Sequence, residues 1–180
     1  MPKAYTRLGD DGFSYSPTFN RRLPKDHEIF EVLGTLDELN SYIGLIVSKL
    51  RSISKIQDMI NELIWIQRVL FKVGNSIVSR KRAISEDDLR KLEEIIDERS
   101  NIINSIKGFV LPGGHEIASL LHIARTVCRR CERRIVKLMR QYEGVVDPLV
   151  IKYINRLSSY LFISALYVNK CLNIGELWVE

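Results

Sequence analysis

Five arginines and one glutamate stand in the ten residues Arg125-Thr-Val-Cys-Arg-Arg-Cys-Glu-Arg-Arg134. The segment lies inside a long apolar-periodic stretch, so it belongs to a helix and not to a disordered basic tail. On a helix Arg125, Arg129 and Arg133 follow one another at four-residue steps along one face. Like charges at that spacing repel and weaken an isolated helix. Such a face calls for anionic groups: carboxylates of the fold, nucleic acid, or a phosphorylated small molecule. Asp37-Glu38 stands in the middle of another apolar-periodic stretch, and the arginine row is the obvious source of its cationic partner.

The N-terminal segment Tyr5-Thr-Arg-Leu-Gly-Asp-Asp-Gly-Phe-Ser14, followed by Arg21-Arg22-Leu-Pro-Lys25, combines glycines, hydroxyls and bases. That is the composition of a phosphate cradle, and also of a plain solvated loop. Gly108-Phe-Val-Leu-Pro-Gly113 has the glycine spacing of a phosphate loop, but Gly114-His115 follows instead of Lys-Ser/Thr, which excludes a Walker A motif. Cys128-Arg-Arg-Cys131 matches C-x-x-C, yet both thiols fall on the apolar side of their helix and no second pair exists for a zinc site. They read as buried small residues. His27, His115 and His122 form no metal site, and no Glu-x-x-His pair argues for a di-iron bundle. His122 falls on the arginine face and carries no assigned role. No Ser-His-Asp or Cys-His arrangement is present, so the chain offers no protein nucleophile.

The elements that must position these residues are helical. Residues 1–27 read as a polar loop without periodicity. Apolar residues then recur at three- and four-residue steps from Glu28 to Leu50, from Ile53 to Ile77 and from Leu89 to Ile103. Ser85-Glu-Asp-Asp88 reads as a capping box opening the third helix. A fourth helix runs from His115 to Gln141, with Gly144 as its stop. Asp147-Pro148 is an N-cap followed by proline at the first helical position, opening a fifth helix to Cys171. No segment shows convincing strand alternation. The expectation is an all-α, antiparallel five-helix bundle with a long N-terminal loop. Helix five is apolar nearly all round, which predicts an oligomer.

The 180 residues make one domain of residues 1–180, with a loop at 1–27, a bundle at 28–171 and a tail at 172–180. Composition is 46% hydrophobic and 27% charged, ordinary for a soluble protein. No apolar run approaches the ~20 residues of a membrane span. The polar N-terminus and the three sparse cysteines fit the cytoplasm. The net charge of +5 suits an anionic partner without identifying one.

Six segments, taken in order, resemble the ATP:corrinoid adenosyltransferases of the PduO type. They are Tyr5 to Ser14, Arg21 to Asp26, Phe30-Glu-Val-Leu-Gly-Thr-Leu-Asp-Glu-Leu-Asn40, Phe109-Val-Leu-Pro-Gly-Gly114, Leu121-His-Ile-Ala-Arg-Thr-Val-Cys-Arg-Arg-Cys-Glu-Arg133 and Ile154-Asn-Arg-Leu-Ser158. The resemblance implies a five-helix bundle assembled as a homotrimer with active sites between subunits. It implies attack by the cobalt of reduced cob(I)alamin on the 5′ carbon of ATP, giving adenosylcobalamin and tripolyphosphate. By the same resemblance Thr6, Arg7, Leu8, Gly9, Ser14, Tyr15 and Lys25 hold ATP from the loop. Arg129, Arg130, Glu132, Arg133 and Asn155 complete the nucleotide site from a neighbour. Asp37 and Arg125 form an intersubunit ion pair, and Phe109 lies under the corrin. Glu132 would tie Arg129 and Arg133 in place. Magnesium would ride on the triphosphate, with no metal ligand from the protein. A corrinoid reductase and an adenosylcobalamin-dependent enzyme are the implied partners, with neither nucleic acid nor membrane. Ser159 and Leu166 depart from the family, which has Asp and Arg there. A basic helical nucleic-acid-binding module and a non-catalytic corrinoid or nucleotide carrier are the competing readings.

Overall fold

Helix α1 (Glu28–Leu50) starts where the His27 side chain accepts from the Ile29 amide, satisfying one of the free donors of the first turn. Its buried stripe, Ile29, Val32, Leu36, Leu39, Ile43, Ile46, Val47 and Leu50, follows the helical period. Each of those side chains contributes roughly 1.5–3 kcal/mol by leaving water. The computed structural model describes residues 5–103, 106 and 108–179. Residues 1–4 of the expected loop and Glu180 of the expected tail lie outside the described residues.

The second helix begins later than the sequence predicts. A single 3-10 turn, Ser54–Ile56, precedes α2 (Asp58–Ser79), because Ile53 is extended and Ile56 turns into the core. Arg80, in the left-handed conformation at φ 56°, ends it. The capping box is present at α3 (Glu86–Ile103). The Asp88 amide donates to Ser85 Oγ at 3.1 Å, and the Ser85 amide donates back to Asp88 Oδ2 at 3.0 Å. Helix α4 (Glu116–Gln141) is capped by His115, and Gly144 turns the chain at φ 70° just beyond it. Asp147 caps α5 (Pro148–Cys171), accepting from the Leu149 amide at 2.8 Å, with Pro148 at the first position as expected.

Five helices are the main architecture. Helix α5 lies between α3 and α4, and α4 lies between α5 and α1. Ion pairs fix the directions. Glu31–Arg134 and Lys49–Glu116 require α1 and α4 to run antiparallel. The Arg156–Glu93 pair and the Arg99–Ser164 hydrogen bond set α3 parallel to α5. The core runs along α5, where Tyr153, Leu157, Tyr160, Leu161 and Val168 are all buried. No helix among the described residues is long and apolar enough to cross a membrane.

One expectation is corrected. Strands β1 (Phe13–Ser16) and β2 (Arg21–Pro24) pair antiparallel inside the segment expected to be plain loop. Each strand is four residues long, and the only buried residues in them are Ser16 and Leu23, so no alternation could be seen. Thr18 in the turn donates to the Ile77 and Val78 carbonyls at the end of α2. Phe19 packs edge-to-face against His27 and Tyr142 at the end of α4, with His27 Nε2 3.0 Å from the Tyr142 hydroxyl. These contacts dock the hairpin on the bundle.

Candidate functional site

The arginine helix divides by face. Arg130 pairs with Glu38, Arg134 with Glu31 and Thr35, and Lys137 with Glu28. This side of α4 is therefore neutralised by carboxylates of α1. Arg130, expected on the nucleotide, is engaged within its own chain. Arg125, Arg129 and Arg133 have no ion-pair partner among the described residues. Arg125 is half-buried with its guanidinium 5.8 Å from the Phe162 ring centroid. Burial, and after it the charge of Arg129, pulls the Arg125 pKa below the usual guanidinium value. Its buried Nε has no hydrogen-bond partner. The row carries unneutralised positive charge at close spacing, which is the condition for holding an anion.

Arg125 and Arg129 line a cavity of about 470 Å³ together with Phe109, Ser158, Ser159 and Phe162. Phe109 is 85% exposed, an unusual setting for a phenylalanine. Ser159, one of the two departures, faces this cavity. Leu166, the other, is buried and lines a different space with Ile103 and Trp178. Glu132 and Asn155 meet, the Asn155 Nδ2 donating to Glu132 Oε1 at 2.9 Å. Glu132 makes no ion pair with Arg129 or Arg133, so the expectation that it ties them together is corrected. His122, expected on the arginine face, is instead 2% exposed beside Phe162. Burial, then Arg125, pushes its pKa down to about 4, and neither ring nitrogen has a partner. Cys128 and Cys131 are buried and unbridged, and burial pushes both thiols up, Cys131 to about 12. They are packing residues, as the sequence implies.

The loop residues form a second, separate group. Lys25 reaches across the hairpin, its Nζ donating to the Gly9 carbonyl at 2.6 Å and its amide to the Gly12 carbonyl at 2.9 Å. A Cβ on Gly9 would come within 2.8 Å of that Nζ. Arg22 donates to the Leu8 carbonyl at 2.8 Å and to Asp11 at 2.6 Å, holding the turn that presents Thr6, Arg7 and Leu8. Thr6 Oγ1 accepts from the Leu8 amide, and Arg7 stands at φ 62°. Tyr15, across the hairpin from Arg22, bonds Asn20 through its hydroxyl. Ser14 is half-buried, and the tips of this group are exposed.

Within one chain these groups do not converge. The cavity containing Arg125 and Arg129 has no loop residue in its lining. Asp37 lies elsewhere, exposed on a groove of about 360 Å³ between α1 and α2 whose lining is mostly apolar, with Leu33, Leu36 and Phe71, but includes Asn40 and Asn75. Phe71 is 71% exposed there. Two residues gained importance only from the structure. Arg22 is the tie that shapes the loop; its place in a basic pair was its only signal. Phe162 carries Arg125, and its apolar neighbours in α5 made it read as core.

A five-helix bundle with an unneutralised arginine row, a cavity beside it and a small β-hairpin whose glycine turn is tied by Lys25 and Arg22 defines a mostly helical anion-binding protein. The chain belongs to the cobalamin adenosyltransferase family, whose model matches residues 4–168. It is 41% identical over 99% of its length to a corrinoid adenosyltransferase of Bacillus subtilis, covering 92% of that protein. It is 40% identical to the corrinoid adenosyltransferase MMAB of Mus musculus over 93% of its length, covering 73% of that protein. Among solved structures, a variant PduO-type ATP:corrinoid adenosyltransferase from Lactobacillus reuteri complexed with cobalamin and ATP superposes with a TM-score of 0.86 at 35% identity, covering 99% of each chain. Another variant of that enzyme, complexed with ATP, gives 0.89, covering 98% of this chain and 99% of that one.

Proposed function

We propose that this chain is an ATP:corrinoid adenosyltransferase whose site is completed between subunits of a cytoplasmic homotrimer. The electron pair of cob(I)alamin forms the cobalt–C5′ bond as the C5′–O bond breaks, and tripolyphosphate leaves with that bond's electrons. Cobalt is the nucleophile, so the protein need supply none. The protein then has two tasks: hold both substrates in line, and neutralise the leaving group. Arg129 and Arg133 serve the second. Thr6, Arg7, Leu8, Gly9, Ser14, Tyr15 and Lys25 grip ATP from one subunit, while Glu132 and Asn155 contribute from its neighbour. Magnesium would accompany the triphosphate and offset part of its charge, with no ligand called for from the protein. Phe109 lies beneath the corrin and excludes the lower axial ligand. A corrinoid reductase supplies cob(I)alamin, and an adenosylcobalamin-dependent enzyme takes the product. The whole of residues 1–180 acts as one unit of loop, bundle and tail.

The observation that carries this reading is the arginine row, without an ion-pair partner among the described residues, beside a cavity lined by exposed Phe109. The trimer rests on complementarity between faces. Asp37 stands without an ion-pair partner among the described residues in a mostly apolar groove with Phe71, and Arg125, half-buried and likewise without one, lines a different cavity. A cyclic arrangement brings the first against the second. Nucleic acid is disfavoured because Arg130, Arg134 and Lys137 are spent on α1, which leaves a short row and not a continuous basic stripe. The test is product. Incubated without oxygen with cob(I)alamin and ATP, the protein yields light-sensitive adenosylcobalamin and tripolyphosphate. A protein that binds both substrates and yields neither product is a carrier.

A further inference from the structure

The C-terminal tail folds back on the Phe109 segment. Asn173, at φ 57°, reverses the chain after α5, and the Ile174 amide returns to the Asn169 carbonyl at 2.8 Å. The tail then pairs with residues 109–111: the Leu111 amide donates to the Leu177 carbonyl and the Val179 amide to the Phe109 carbonyl, each at 2.8 Å, with Val110 opposite Trp178. At the root of this clasp sits Asn169, fully buried on the last turn of α5. Its Oδ1 accepts from the His115 amide at 2.9 Å. Its Nδ2 donates to the Gly113 carbonyl at 3.2 Å and to Glu176 Oε1 at 3.0 Å. Both amide protons are used, so one side chain joins the start of α4, the turn before it, and the tail. Gly114 makes room: at φ 89° it has no Cβ, and one placed there would sit 2.3 Å from Asn169 Nδ2.

Phe109 itself has almost no packing of its own. Its position is set by the strand pairing on one side and, four and six residues on, by the Asn169 clasp at Gly113 and His115. A buried amide with all its protons committed is a rigid reference point, since leaving any of them unpaired carries the full cost of desolvating it.

We propose that Asn169 is a positioning residue for adenosyl transfer, acting through the tail to hold Phe109 over the cavity it shares with Arg125 and Arg129. This rests on the reading that Phe109 lies against the corrin. Asn169→Asp keeps the acceptor for His115 and loses both donors. A chain ending at Gly175 removes the strand pairing without touching the core, and it remains informative where the buried substitution fails to fold. Both variants, Phe109→Ala, and Phe109→Ala combined with the truncation are assayed for KM of each substrate. The absorption spectrum of bound cob(II)alamin, which reports detachment of the lower axial ligand, is recorded for each. The expected result is a corrinoid KM raised about tenfold or more by the loss of positioning, an unchanged KM for ATP, and a weaker lower-ligand-detached spectrum. In the Phe109→Ala background the truncation adds nothing further. Wild-type corrinoid KM and spectrum in both variants, or a parallel rise of both KM values with a lowered melting temperature, overturns the proposal. If Phe109→Ala changes the spectrum and the truncation does not, the role of Asn169 fails alone. If Phe109→Ala changes neither spectrum nor corrinoid KM, the reading of Phe109 fails and takes this one with it.

Discussion

The Arg125 guanidinium stands 5.8 Å from the centre of the Phe162 ring, and its buried Nε has no hydrogen-bond partner. The ring supplies part of the stabilisation a half-buried cation needs, but a ring is not a counter-ion. The carboxylates of α1 that face α4 are committed to Arg130, Arg134 and Lys137, and no carboxylate among the described residues pairs with Arg125. In the proposed trimer its counter-ion would be Asp37 of the next subunit.

Removing either partner of that pair is expected to cost about 2–5 kcal/mol per interface, because the other charge is left buried and unpaired. Asp37→Ala and Arg125→Ala therefore shift the assembly towards monomer in sedimentation. Asp37→Arg combined with Arg125→Asp restores it in part. Wild-type association of both single variants contradicts the pairing.

Arg129 is exposed, has no ion-pair partner among the described residues and lines the cavity. Arg129→Ala is expected to leave helicity and oligomeric state intact while lowering kcat/KM by at least about a hundredfold, the scale of losing one charge-stabilising donor. Near-wild-type turnover in a verified trimer would remove it from the mechanism.

His122 sets a pH dependence of stability. Its folded pKa, about 4, lies below the 6.5 of an unperturbed imidazole, so the unfolded chain takes up the proton first. Its stabilising contribution is complete above pH 6.5 and declines as pH falls towards 4, in all by something on the order of 3 kcal/mol. Asp147 is held below the carboxylate norm chiefly by the Arg82 hydrogen bond, so its own loss falls in more acidic solution. Melting temperatures between pH 7 and 4.5 should fall for the wild type and fall less for His122→Phe. Identical slopes would exclude His122 as the cause.

Gly114→Ala combines a left-handed backbone with a Cβ driven into the Asn169 amide. It is expected to destabilise by more than the ~1 kcal/mol of an ordinary glycine substitution at positive φ. Chemical denaturation measures this. Gly144→Ala, at φ 70° with no atom near its Cβ position, is the control for backbone strain alone and should cost less.

The five helices were legible because their buried faces keep a 3.6-residue period and their starts carry Ser85, Asp147 and Pro148. The hairpin was not, since hydrogen bonding defines it and its four-residue strands bury almost nothing. At the site, the residue types of the arginine helix were legible but their allegiance was not. Arg129 and Arg130 are adjacent in sequence, and only the packing of α1 against α4 shows that Arg130 answers Glu38. Which charges pair within a chain and which wait for another is a matter of tertiary geometry that spacing does not encode. Asn169 was invisible for the same reason: its three partners come from residues 113, 115 and 176, and in the sequence it is one polar residue near the end of an apolar helix.

A site split between subunits makes a direct prediction for mixed assemblies. Lys25→Ala damages the loop and Arg129→Ala damages the arginine row, and each alone is expected to be inactive. Co-assembled in equal amounts and assayed without oxygen for adenosylcobalamin, they should recover roughly a quarter of wild-type activity, since a site that draws its loop and its arginine row from different subunits escapes both defects at that frequency. No recovery, in trimers shown to contain both variants, would mean that each site is built by one chain.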